Sequence, residues 1–163
     1  MSNGLHRIML SAFLGLGCFV ATWVPAMAGE LPKEGPISAT FVNEGRVDAM
    51  QIGDEQWAWT NYARTATVGD SEGDLLHNMS GDCMGMGVNN QGSGYCRHVD
   101  ADGDMIFERW QDVDMGKGTA TFLGGTGKYA GITGTLEYDY VMLPSPEGAL
   151  HLAGKTRGSY KLP

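Results

Sequence analysis

The sequence predicts an all-β domain, an antiparallel barrel of roughly eight strands closed on itself. Three observations carry that prediction. Apolar and polar residues alternate with a period of two, glycine-rich turn signals separate the alternating stretches, and no window of a dozen residues beyond position 28 holds a 3.6-residue period. Glycine, at 25 of 163 residues, is about twice its ordinary share and follows no Gly-X-Y period, so it marks tight turns and not collagen. The length allows one domain. A net charge of −8 argues against binding a phosphate backbone, which takes clustered Lys and Arg. The hydrophobic content of 42% is enough for a core and excludes wholesale disorder.

Residues 1–28 have the three-part layout of a cleaved secretory signal: a short polar start with Arg7, an uncharged apolar run over residues 8–24, and Ala26-Met27-Ala28 before Gly29 as the cut. The run is slightly short of the ~20 apolar residues of a spanning helix. Cys18 after Leu14-Gly15-Leu16-Gly17 resembles a lipidation site, but Gly15 stands where a Leu is expected. Cleavage removes Arg7 and Cys18, leaving a more acidic chain with exactly two cysteines, Cys83 and Cys96. In the oxidising periplasmic or extracellular setting that export implies, those two form a structural disulfide. Residues 29–36 read as a loose arm, and residues 37–163 as the barrel domain.

The strands follow in order. Residues 37–42, a weaker segment at 47–52, residues 56–68 (one long strand or two short ones), 94–99, 105–110, 119–123, 132–140 and 150–162 alternate or are β-branched and aromatic. Ile132, Gly134, Leu136, Tyr138 and Tyr140 share one face, opposite Thr133, Thr135, Glu137 and Asp139. The separators are Asn43-Glu44-Gly45, Asp102-Gly103, Gly116-Lys117-Gly118, Gly124-Gly125-Thr126-Gly127 and the segment 144–148. Many short, evenly spaced strands favour a barrel over a sandwich because closure removes exposed edges.

The segment Gly124-Gly125-Thr126-Gly127-Lys128-Tyr129-Ala130-Gly131-Ile132-Thr133-Gly134 resembles the Gly-Gly-Thr-Gly-Lys-Phe/Tyr-x-Gly-x-x-Gly stretch of the dirigent and allene oxide cyclase-like barrels. Small exported bacterial proteins similar to these pair it with two cysteines and an Asp-x-Asp-Gly-Asp turn, here Asp100 to Asp104. The resemblance implies the barrel. For the family it also implies cyclisation or steering of a reactive intermediate by confinement, with a Glu and a bound water in the cyclases. Neither Glu108 nor Glu137 aligns with that Glu, so the carry-over stops at the fold. The segment is no phosphate loop, since no Gly-Lys-Ser/Thr and no helix pattern follow.

Candidate chemistry is sparse. Asp100-Ala101-Asp102-Gly103-Asp104 lacks the Gly and Glu spacing of a calcium loop, Met105 and Gln111 occupying those places, and reads as a hairpin turn. His77, Met79, Cys83, Met84, Met86, Cys96 and His98 gather soft ligands, but without a metal-binding spacing and with the cysteines committed to each other. No metal or cofactor is expected. No nucleophile elbow surrounds any serine. What remains are charges and aromatics within strands: Trp59, Arg64, Arg97, Glu108, Trp110 and Tyr138 are the candidate ligand-binding residues, with Glu108 the candidate catalytic group. Three functions follow: an exported barrel binding a small apolar or amphipathic molecule, an isomerase or cyclase acting by confinement, or a packed, ligand-free envelope module. The first two require a cavity of ~300 Å³ or more lined by Trp and Tyr, the third a filled interior.

Overall fold

A computed structural model describes residues 31–163. The signal segment, its cleavage site and Cys18 lie outside the described residues. Eight strands follow one another: β1 (Glu34–Gly53), β2 (Gln56–Gly69), β3 (Met79–Val88), β4 (Gln91–Val99), β5 (Met105–Asp114), β6 (Lys117–Gly125), β7 (Thr133–Met142) and β8 (Ala149–Lys161). Each pairs antiparallel with its chain neighbour, and β1 pairs with β8, from Glu34↔Lys161 to Arg46↔Ala149, which closes the barrel. Among the described residues no helix is long and apolar enough to cross a membrane.

The expected architecture is present, with three corrections. Residues 34–36 of the expected arm already belong to β1, opposite Lys161, Tyr160 and Ser159. Asn43-Glu44-Gly45 is no turn, so the two expected segments 37–42 and 47–52 are one strand that runs straight through it. A side chain at Gly45 would meet the backbone of Tyr62 and Ala63, and its absence lets β1 lie close to β2 there. The third correction is β3, which the sequence pattern leaves out. Its inward positions 83, 85 and 87 are Cys, Gly and Gly, while Met84 and Met86 face solvent, so its alternation is inverted.

One end of the barrel is packed shut. The connection between β2 and β3 folds Leu75 and Leu76 into the interior, where they pack with Ile37, Met79, Ile106, Phe122, Tyr129 and Ile132. The Thr67 hydroxyl donates to the Leu76 carbonyl at 2.7 Å and pins this plug. Tyr129 ends a single 3-10 turn, Gly127–Tyr129, and is buried as an aromatic stopper. Gly124, Gly127, Gly131 and Gly134 all have positive φ, which an L side chain resists. Gly125 does not, and is required for space, since a Cβ there would meet the Tyr129 Cβ at 2.6 Å.

The Asp100–Asp104 segment is the expected hairpin turn, with Gly103 at φ +87° and the Asp100 N–H donating to the Asp104 carbonyl at 3.0 Å. Its carboxylates are held from within the chain. The Lys128 ammonium lies 2.7 Å from both Asp100 and Asp102, and the Tyr129 hydroxyl donates to Asp100 at 3.0 Å. Burial works to raise the Asp100 pKa, but hydrogen bonds from Lys128, Tyr129 and two backbone N–H groups hold it below its ordinary value.

Candidate functional site

The other end of the barrel is open, between the turns at 54–55, 89–90 and 115–116 and the β7–β8 connection. From it a blind bore of about 110 Å³ runs inward and ends on Leu76. Strand alternation decides which residues line it: Phe41 from β1, Trp59 from β2, Trp110 from β5, and Tyr138 and Tyr140 from β7 are its aromatic walls. Phe41 meets Tyr138 edge-on at 6.4 Å between ring centroids.

The seating of the two indoles explains the odd sequence of β3 and β4. Gly85 faces Gly94 across the strand pair, and Gly87 faces Gly92. A Cβ on Gly94 would stand 2.6 Å from Cζ2 of Trp110, and one on Gly87 2.5 Å from Cζ2 of Trp59. Four inward positions without side chains thus form the shelf on which the indoles rest. The rings lie within 1° of parallel, their centroids 6.5 Å apart, a spacing close to the ~6.6 Å rise of two strand residues that separates the glycine pairs. Asn89, at φ +51°, accepts from Trp59 Nε1–H at 2.8 Å through its carbonyl and from the Trp57 N–H at 2.9 Å through its side chain. Inward of the shelf, the Cys83–Cys96 disulfide joins the same two strands.

The bore also holds polar groups, several without partners. Glu108 and His98 are buried, with His98 Nε2 3.3 Å from Glu108 Oε1 but out of line for a hydrogen bond. Neither imidazole nitrogen has a hydrogen-bond partner, nor has the side-chain oxygen of Asn43 or Asn61. Buried polar atoms are nearly always paired, and each exception costs about 1–3 kcal/mol. Asp112 accepts a hydrogen bond of 2.9 Å from Tyr138. Burial raises the Asp112 pKa against the opposing effect of that bond, and burial with the neighbouring Asp112 charge pushes the Tyr138 phenol far up.

A carboxyl whose folded pKa is raised loses stability for the fold as pH climbs through that value, the full contribution being present only below the unfolded pKa. Asp112→Asn is therefore expected to raise Tm relative to wild type at about pH 7, with the gain vanishing below about pH 4, where the aspartic acid is protonated in both states. Thermal melts of both proteins across that range check it, and a pH-independent difference would contradict it.

Four of the six residues singled out from the sequence, Trp59, Glu108, Trp110 and Tyr138, line the bore. Arg64 and Arg97 do not, which corrects the expectation that they face a ligand. Both lie on the outer face, where Arg97 binds Asp82 through Nε at 3.2 Å and Nη2 at 2.6 Å, and Arg64 stands opposite Asp82 and Glu44. That Asp82 also accepts from the Tyr62 hydroxyl at 2.7 Å, and the bonds from Arg97 and Tyr62 hold its pKa low. The face assignment follows from alternation: residues 63, 65 and 67 point inward, so 64 points out. Sequence reasoning missed Asn43, Asn61 and Asp112. Asn61 and Asp112 sit two residues from Trp59 and Trp110, so same-face spacing was the available signal. Cys96, His98 and Glu108 place ligand atoms within 4.8 Å of one another. With the Cys96 sulfur bonded to Cys83, one nitrogen and one carboxylate remain, fewer than the three protein ligands of an open zinc site.

The fold and the site together define a class, the small up-and-down barrel with one plugged end and an aromatic-walled bore at the other. No family model matches the chain, and no curated protein matches it. Among solved structures the chain is similar to a pterocarpan synthase dirigent protein, at 9% identity and a TM-score of 0.45, over 80% of this chain and 87% of that one. The strand pairing itself, with β1 joined to β8, makes the barrel.

Proposed function

We propose that this is an exported barrel that takes one small, largely apolar or amphipathic molecule into its open end. The observation that carries the reading is the blind bore with apolar walls and buried polar atoms left unpaired, the composition of small-molecule sites in general. The bore's 110 Å³ falls short of the ~300 Å³ that the sequence led us to expect of a binding barrel, which corrects that expectation; it is close to the ~150 Å³ in which an apolar protein cavity takes up benzene. The guest is therefore one ring deep, with any remainder extending into the mouth. Export is supported by the signal layout of residues 1–28 together with the disulfide.

Benzyl alcohol is a neutral, single-ring probe of this size. Titrated into the protein, it should quench the emission of Trp59 and Trp110 saturably, with a half-point of about 0.1–1 mM, as fits its few heavy atoms. A response that stays linear to about 10 mM would remove the reading.

A further inference from the structure

We infer that the guest of this bore is a small organic cation, an aromatic or alkyl ammonium. The inference rests on the bore-binding reading above and narrows it. No Lys or Arg lines the bore, although the chain has 11 of them, whereas two carboxylates, Glu108 and Asp112, do, against the single imidazole of His98. The two acids flank Trp110 on the same face of β5, so a cation over that indole has a carboxylate on each side along the strand.

Two of the four unpaired atoms point the same way, the other two being the imidazole nitrogens of His98. Asn43 and Asn61 line the bore, each with a buried side-chain oxygen that no donor among the described residues reaches, and an ammonium carries N–H donors of the kind such oxygens accept. The walls are aromatic faces, which attract a cation when it is desolvated. The burial that disfavours the Asp112 charge is offset once a positive guest arrives. A chain of net charge −8 also attracts cations and repels anions overall. An anionic guest would meet two carboxylates with no guanidinium or ammonium to balance it. A bare metal ion would find the imidazole and one carboxylate at the inner end, the sulfur of Cys96 being bonded elsewhere.

Three probes of one size separate the possibilities: benzylamine (an ammonium at neutral pH), benzyl alcohol and benzoate, each titrated calorimetrically. Benzylamine should bind at least about tenfold more tightly than benzyl alcohol, and benzoate should show no binding. Glu108→Gln and Asp112→Asn, made separately so that one poorly folding variant does not end the test, should each shrink that preference below about threefold. The outer-face variants Glu137→Gln and Asp139→Asn change net charge equally and should leave it intact. Benzyl alcohol bound as tightly as benzylamine, or a preference that falls equally in the outer-face variants, overturns the ammonium assignment while the bore-binding reading stands. Binding of none of the three removes both.

Discussion

Leu76→Ala is expected to destabilise the barrel by about 2–5 kcal/mol, the range for a fully buried leucine truncated to alanine. Leu76 is 1% exposed and belongs to the plug that shuts one end of the barrel, where Leu75, Ile106 and Ile132 surround it. It is also the floor of the bore. The truncation therefore has two effects at one place. Urea unfolding should show the lost stability with little change in slope. The bore should deepen, so that a two-ring alcohol such as 2-naphthylmethanol, too long for the wild-type floor, gains affinity relative to benzyl alcohol. A loss of stability with no change in that ratio would mean the plug relaxes into the gap and the floor is not set by Leu76.

Gly94→Ala is expected to cost about 3 kcal/mol, toward the upper end of what overpacking does to a tight interior. The new methyl group would meet the Met84 carbonyl oxygen as well as the Trp110 ring, and a backbone atom in a paired strand has no room to yield. Gly92→Ala is the informative partner. Its methyl group meets chiefly the Trp59 ring, with the Met86 carbonyl 3.2 Å away, so a smaller loss of stability and a displaced indole are expected. Denaturant midpoints rank the two, and the near-ultraviolet circular dichroism of the paired indoles reports the displacement. Equal and negligible costs would show that the glycines are turn-formers and not the seat of the indoles.

That glycine shelf also marks where the sequence stops being readable. Period two was enough to place β2, β5, β7 and β8: Leu136, Tyr138 and Tyr140 alternate with polar residues as a half-buried strand should, and Ile106, Glu108 and Trp110 share one face of β5. β3 escaped because the pattern rewards large apolar residues inside, whereas here the large residues inside come from Trp59 and Trp110 on neighbouring strands. The small ones are local and the methionines face out. A strand count near eight was reached by two errors of opposite sign, β1 read as two segments and β3 as none. Arg64 and Arg97 illustrate the other limit. Face membership within a strand was legible, but which face is inside is decided by neighbours such as Cys83 and Cys96, whose own strand had to be known first. The unpaired oxygens of Asn43 and Asn61 were beyond reach, since only three-dimensional packing shows that a donor is missing.

The acidic turn at the closed end carries a last consequence. Its counter-charge is the Lys128 side chain, covalently part of the same polypeptide and in contact with both Asp100 and Asp102. A loop that recruits a divalent ion from its surroundings is at the mercy of dilution, chelators and competing metals. A tethered ammonium cannot be washed away, so this corner of the molecule holds its shape whether the surrounding medium is hard water or soft.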